Sequence, residues 1–211
     1  MSQVMPFERW LLFFATEAAL SMSPGPAVLL VLSHGMSHGP WKPVWTTTGI
    51  LTANALYFAV SGTSLGGVLT ASMPVFYAIR WLGAGYLAYL GLCAFFRRPE
   101  PVEVFIRTPA ETGRPLFRQG LVLQLTNPKA LVFFTALLPQ FVSPGGRVGL
   151  QIVILGVTSV ITEFVILAAY GALASTATRM VSNERLATWQ GKVAGLLLIA
   201  AALGVASIRR E

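Results

Sequence analysis

Apolar residues in this chain gather in long runs and do not alternate with polar ones at period two. Six stretches are long and apolar enough to be membrane helices: residues 8–33, 44–69, 74–96, 117–141, 147–173 and 189–208. A spanning helix needs about 20 mostly apolar residues. The six take up most of the 211 residues and leave no room for a soluble domain. The pattern predicts an all-α membrane protein, a single transmembrane domain over 1–211. Two of the runs are interrupted. Ser23-Pro24-Gly25-Pro26 breaks the first, and Thr126-Asn127-Pro128-Lys129 breaks the fourth. Each break leads into an alanine and a further apolar run, and Ala27 and Ala130 lie about half the chain apart. A proline cannot donate to the carbonyl four residues before it. The carbonyls of Leu20, Met22 and Gln124 are therefore expected to lose their helical partners. In hydrocarbon that is tolerated only where protein, water or a ligand satisfies them. Corresponding breaks in two halves point to a transport site.

The polar stretch 97–116 divides the chain into repeat one, about 8–96, and repeat two, about 117–208. The third run carries Trp81-Leu82-Gly83 and ends at Arg97-Arg98; the sixth carries Trp189-Gln190-Gly191 and ends at Arg209-Arg210. An odd number of spans per half turns the second half over, which predicts two inverted three-helix repeats. Basic residues set the orientation. Nine Lys and Arg fall on the side of the 97–116 loop and five on the other, with Lys129 inside a span. The excess places that loop in the cytoplasm and both termini outside. Five spans with the N-terminus inside is the alternative. The first run is longer than a typical cleaved signal sequence and is expected to be retained.

Composition narrows the class further. The chain is 55% hydrophobic and 11% charged, against about 25% charged in soluble domains. A net charge of +7 could suit nucleic acid, but Arg97, Arg98, Arg107, Arg114 and Arg118 crowd one connection. That is a topology signal, and no nucleic-acid partner is expected. The lone Cys93 cannot form an internal disulfide. There is no Gly-rich phosphate loop, no redox Cys pair and no haem motif. ATP-driven pumping by this chain alone, a bound cofactor and enzymatic catalysis are not expected.

The candidate chemistry lies at membrane depth. All eight acidic residues are glutamates, and Glu17 and Glu163 fall inside apolar runs. Such groups face a cavity, pair with a partner or relay protons, so both are candidates for proton coupling; the alternative is a paired glutamate that fixes packing. Lys129 follows Pro128 and needs a partner: a glutamate, free carbonyls or a substrate carboxylate. Otherwise it snorkels to an interface. Asn54, Gln124, Asn127 and Gln140 can bind a zwitterion's ammonium and carboxylate alike or stitch helices together. Asn127, at a break, is best placed for a site. With them, Pro24, Gly25, Pro26, Pro128 and Lys129 frame the expected substrate pathway. His34 and His38 share a helix face, a spacing that can hold metal. No third ligand is evident, so no metal site is expected. Gly62 and Gly66 have the small-xxx-small spacing of packed helices; a homodimer through them is left open.

These residues resemble the LysE/RhtB family of amino-acid exporters. The resemblance rests on Ser23-Pro24-Gly25-Pro26, on Gly35, Gly39 and Gly49, and on Arg80 through Gly91. It rests further on Phe117-Arg118-Gln119-Gly120, Leu125 through Ala130, Phe133-Phe134 and Leu138-Pro139-Gln140-Phe141, then on Tyr170. It implies about six spans in the bacterial inner membrane and secondary export of amino acids or related small metabolites, driven by protons. One half would rock against the other. The substrate would lie between the two breaks, its ammonium met by Glu17 and by the freed carbonyls. One departure is Ala27, where many members of the family carry Asp or Asn. Export of metal or other small ions, with His34, His38 and Glu17 as ligands, is the rival reading.

Overall fold

The computed structural model describes residues 4–23, 25–69, 73–96, 113–143, 146–176 and 184–207. All regular structure among them is helical. Pro24, most of the arginine-rich loop (97–112) and the turn residues Pro144 and Gly145 lie outside the described residues.

Both interrupted runs are bent pairs of helices. In the first, α1 (Phe7–Met22) leads into α2 (Pro26–His38), with axes 52° apart. Pro26 opens α2, where its missing N–H costs nothing and its fixed φ suits a first turn. In the second, α5 (Gly113–Leu125) leads into α6 (Pro128–Val132), and the segment Pro128–Phe141 lies at 50° to α5. Asn127 caps α6 by accepting the Lys129 backbone N–H through its side chain, at 3.1 Å. A π-helical turn, Phe133–Leu137, then leads into α7 (Leu138–Phe141). Pro139 cannot donate to the Thr135 carbonyl, which is a physical reason for the widened turn. The hydrophobic pattern does not reveal it. It also starts α5 late, at 117, because Arg114 and Arg118 lower the hydropathy of the first turns. The helix begins instead at Gly113, where the Trp45 indole lies 2.5 Å from the place a Cβ would occupy.

The unbroken helices are α3 (Pro43–Leu69), α4 (Met73–Phe96), α8 (Val148–Thr176) and α9 (Glu184–Ser207). Among the described residues, Val148–Ala174 is long and apolar enough to cross a membrane alone. Each bent pair qualifies if counted as one span. Trp81–Phe96 and Lys192–Ser207 are shorter apolar helices. The surface of α8 is the reverse of a soluble protein's. Val153, Val157, Ile161 and Val165 repeat every fourth residue and are exposed, whereas Gln151, Ser159, Thr162 and Glu163 are buried. Apolar outside and polar inside is how a helix packs when lipid is the solvent.

Glycines set the closest helix contacts. A Cβ on Gly49 of α3 would overlap the Phe117 carbonyl of α5, and one on Gly120 would overlap the Thr46 carbonyl in return. Gly91 of α4 and Gly195 of α9 face each other's carbonyls, at 2.9 and 2.6 Å from the Cβ positions. Gly35 of α2 sits against Gly171 of α8, at 2.7 Å from its carbonyl. Each contact brings two backbones together, which only glycine permits. Gly62 also packs within the chain, with Ile152 of α8 at 3.5 Å from its Cβ position.

Candidate functional site

The interior holds two apolar clusters. One gathers Phe13, Leu87, Phe133, Phe134, Leu137 and Phe141; the other gathers Val28, Val31, Ile50 and Leu167. A polar cavity of about 50 Å3 has walls from both. Leu20, Phe133 and Phe134 come from the first side, Val28 and Leu167 from the second. Its polar lining is Glu17, Ser21, Asn54, Gln124, Asn127, Lys129, Ser159 and Glu163, with Gly25 and Ala27 at the first break. The bends bring this about. Glu17 comes from α1, Gly25 and Ala27 from the first break, Asn127 and Lys129 from the second, Asn54 from α3, and Ser159 and Glu163 from α8.

The three amides form one directed chain. Asn127 Nδ2 donates to Gln124 Oε1 at 3.0 Å, and Gln124 Nε2 donates to Asn54 Oδ1 at 2.8 Å. Asn54 Nδ2 donates to Glu163 Oε2. At the near end, Asn127 Oδ1 accepts the N–H of Lys129. Every amide accepts on its oxygen and donates on its nitrogen, so the run delivers an N–H to the Glu163 carboxylate. Aligned dipoles of this kind reinforce one another. Glu17 is held separately: Ser159 Oγ donates to its Oε1 at 2.8 Å.

Lys129 does not snorkel. Its Nζ donates to the carbonyls of Leu20 and Ser23, the latter at 3.3 Å, and so joins the second break to the first. Of the three ways such carbonyls can be satisfied, protein, water or ligand, this structure shows the first. The carbonyl of Leu20 is shared by the Ser23 backbone N–H, at 3.2 Å, and the protein's own ammonium, and that of Met22 accepts from the Tyr170 hydroxyl at 3.0 Å. The carbonyl of Gln124 accepts from the Asn127 backbone N–H at 3.2 Å. In this conformation the chain itself satisfies all three. Tyr57 does on α3 what Tyr170 does on α8: its hydroxyl donates to the Leu125 carbonyl at 2.7 Å.

Of the residues expected at a site, Glu17, Gly25, Asn54, Gln124, Asn127, Lys129 and Glu163 line one cavity; Pro26 and Pro128 open the half-helices beside it. Gln140 is buried elsewhere and donates to the Ala136 carbonyl at 3.3 Å. His34 and His38 do not line the cavity. Their rings lie 5.7 Å apart and His34 Nδ1 is 2.6 Å from Thr46 Oγ1. The trio of His34, His38 and Glu17 is therefore not assembled around one point, and the described residues contain no metal-binding cluster. Sequence reasoning missed Ser159 and Tyr57. Their signals were helical spacing: Ser159 lies one turn before Glu163, and Tyr57 one turn after Asn54.

Comparison with known proteins gives a consistent picture. The family described as LysE type translocator matches residues 18–208. A homoserine/homoserine lactone efflux protein of Salmonella typhimurium is 29% identical over 205 residues, covering 97% of this chain and 99% of the relative. An uncharacterised membrane protein of Vibrio cholerae is 27% identical over 205 residues, 97% and 100% of the two chains. A leucine efflux protein of Enterobacter sp. is 28% identical over 190 residues, 88% and 89% of the two. No solved structure matches.

Proposed function

The chain belongs to the LysE type translocator family, and on that footing we propose that it is a secondary exporter of amino acids or related small zwitterionic metabolites. It works by proton antiport in the bacterial inner membrane, as a transporter and not as an enzyme. One observation carries the reading: both helix breaks open on a single, partly open cavity lined by two carboxyl groups, one ammonium group and three amides. Buried ionisable groups at membrane depth mark substrate and proton pathways. The names of the efflux relatives support the substrate class.

The proposed architecture is six crossings in two inverted repeats, 8–96 and 117–208, with 97–116 cytoplasmic and the termini outside. Paired contacts support it. The half-helix α5 is tied to α3 by Gln124 and Asn54, as α1 is tied to α8 by Glu17 and Ser159. Tyr57 and Tyr170 each bond a carbonyl beside one break. The glycine contacts α3–α5 and α2–α8 cross between repeats, so rocking of one intact half against the other fits poorly. The moving parts are better sought in the half-helices at the breaks.

The mechanism follows from charge. With all three groups ionised, Glu17, Glu163 and Lys129 sum to one negative charge, and burying an uncompensated charge is expensive. One bound proton cancels it. The empty site returns with that proton on one glutamate; in the loaded site the substrate's ammonium takes the proton's place beside the carboxylates and its carboxylate faces the half-helix N-termini, which favour negative charge. At about 50 Å3 the cavity has room for a few waters.

Purified protein in liposomes, loaded with labelled homoserine, leucine and other amino acids, tests this. A proton gradient should drive at least one of them uphill. No flux of any amino acid, with or without the gradient, would overturn the reading.

A further inference from the structure

We propose that the Lys129 side chain is a tethered stand-in for the substrate's ammonium group. It occupies a seat that an incoming primary amine takes over. The inference rests on the exporter reading above and says how that site recognises its ligand.

The seat belongs to the first break. Pro24 removes the N–H that would return to the Leu20 carbonyl. Ser23 caps α1 in an extended conformation, at φ −68° and ψ 122°, which takes its carbonyl out of the helical register. The Leu20 carbonyl keeps a 3.2 Å bond from the Ser23 N–H and has a lone pair to spare; Lys129 Nζ, reaching over from the second break, donates to both the Leu20 and the Ser23 oxygens. Two carboxyl groups, Glu17 and Glu163, line the same cavity. A lysine buried only for packing would be expected to pair with one of them. Among the described residues it makes a direct ion pair with neither: its hydrogen bonds go to backbone carbonyls, and the two carboxyl groups act on it only through space. Glu17 is held by Ser159 and Glu163 by Asn54.

Three consequences fit a seat and not a strut. An ammonium offers three N–H donors and no acceptor, so carbonyls left by a helix break suit any primary amine, the protein's own or a ligand's. The lysine stem is flexible, so it can withdraw without moving a helix. Gly25 leaves the approach bare: its Cβ position is 3.8 Å from Nζ and 3.9 Å from Cδ of Lys129, with no side chain between. When a substrate ammonium replaces Lys129 on the two carbonyls, one cation has been exchanged for another. The released lysine is then available to the substrate's carboxylate. Both ends of an α-amino acid would be bound by a single exchange.

A side chain on a short tether competes at an effective concentration of about millimolar or more. Removing it should unmask the seat. With methylammonium as the probe, purified K129A in detergent should bind at least tenfold more tightly than wild type, measured by calorimetry. Tetramethylammonium, which has no N–H, should not bind. K129M keeps the length of the stem and serves the same purpose if K129A does not fold. A second measurement uses the unaltered protein: labelling of Lys129 by a small amine-acylating reagent, followed by mass spectrometry. Because methylamine also consumes the reagent, labelling is read relative to the exposed Lys192; that ratio should rise severalfold when methylammonium is added. Equal affinity in wild type and variants, equal binding of tetramethylammonium, or unchanged relative labelling of Lys129 would each overturn the proposal. None of these readouts involves transport, so an absence of amino-acid flux would count against the exporter reading separately.

Discussion

Replacing Asn54 with leucine breaks the amide chain at its middle. Asn54 is 3% exposed, and leucine has the same branched heavy-atom skeleton with bulkier methyl ends, so no cavity forms and the main cost is polar. Two bonds go. Gln124 Nε2 loses its acceptor, formerly at 2.8 Å, and Glu163 loses a donor. Hydrogen bonds between membrane helices average about 0.6 kcal/mol, with a maximum near 1.7 kcal/mol. The one to a carboxylate is charge-assisted and about twice as strong as a neutral one. Together the losses come to about 2–5 kcal/mol. Gln124→Leu removes the same Gln124–Asn54 bond and the bond from Asn127. The double variant therefore loses the shared bond once, not twice. Its destabilisation should fall short of the sum of the single effects by about 0.6–1.7 kcal/mol. Unfolding free energies of the four proteins in mixed micelles measure this. Additivity within about 0.3 kcal/mol would show that the amides do not act as a connected unit.

Two further outcomes are expected. Glu17→Gln or Glu163→Gln, whichever residue carries the proton, should abolish uphill export under a proton gradient while leaving exchange of labelled for unlabelled substrate. Uphill export retained by both variants would remove the glutamates from coupling. Tyr170→Phe, at a partly buried bond to the Met22 carbonyl, should cost about 1–2 kcal/mol. Tyr57→Phe, at a more exposed bond to the Leu125 carbonyl, should cost less than about 1 kcal/mol; equal thermal destabilisation of the two would contradict this ordering.

The helices and both breaks were legible because apolar runs and prolines act locally. Proline removes a donor wherever it stands, so the positions of the bends could be read from Pro26 and Pro128 without knowing the neighbours. Glu17, Glu163 and Lys129 stood out because ionisable groups are rare in such runs. Their partners did not, because partnership is a matter of tertiary contact. Lys129 could equally have met a carboxylate, a carbonyl or the interface, and only the bend of α1 against α2 decides that the Leu20 and Ser23 carbonyls receive it. Ser159 and Tyr57 escaped for the same reason: a serine or tyrosine in an apolar helix is unremarkable until a partner is opposite. The π-turn was hidden because Pro139 follows an otherwise regular pattern.

The glycine contacts also bear on how the molecule is made. Gly49 on α3 fits a notch in α5, Gly35 on α2 fits α8, and Gly91 on α4 fits Gly195 on α9. In each, the earlier partner leaves the ribosome long before the later one exists. Chains emerge at about 5–20 residues per second, so α2, α3 and α4 wait several seconds in the bilayer with their glycine faces unfilled. Packing then has to be established late and across large sequence separations, an order of events that slows folding. The two halves should accordingly be poor candidates for separate life: each is synthesised first as a set of inserted helices and becomes a packed structure only when the other arrives.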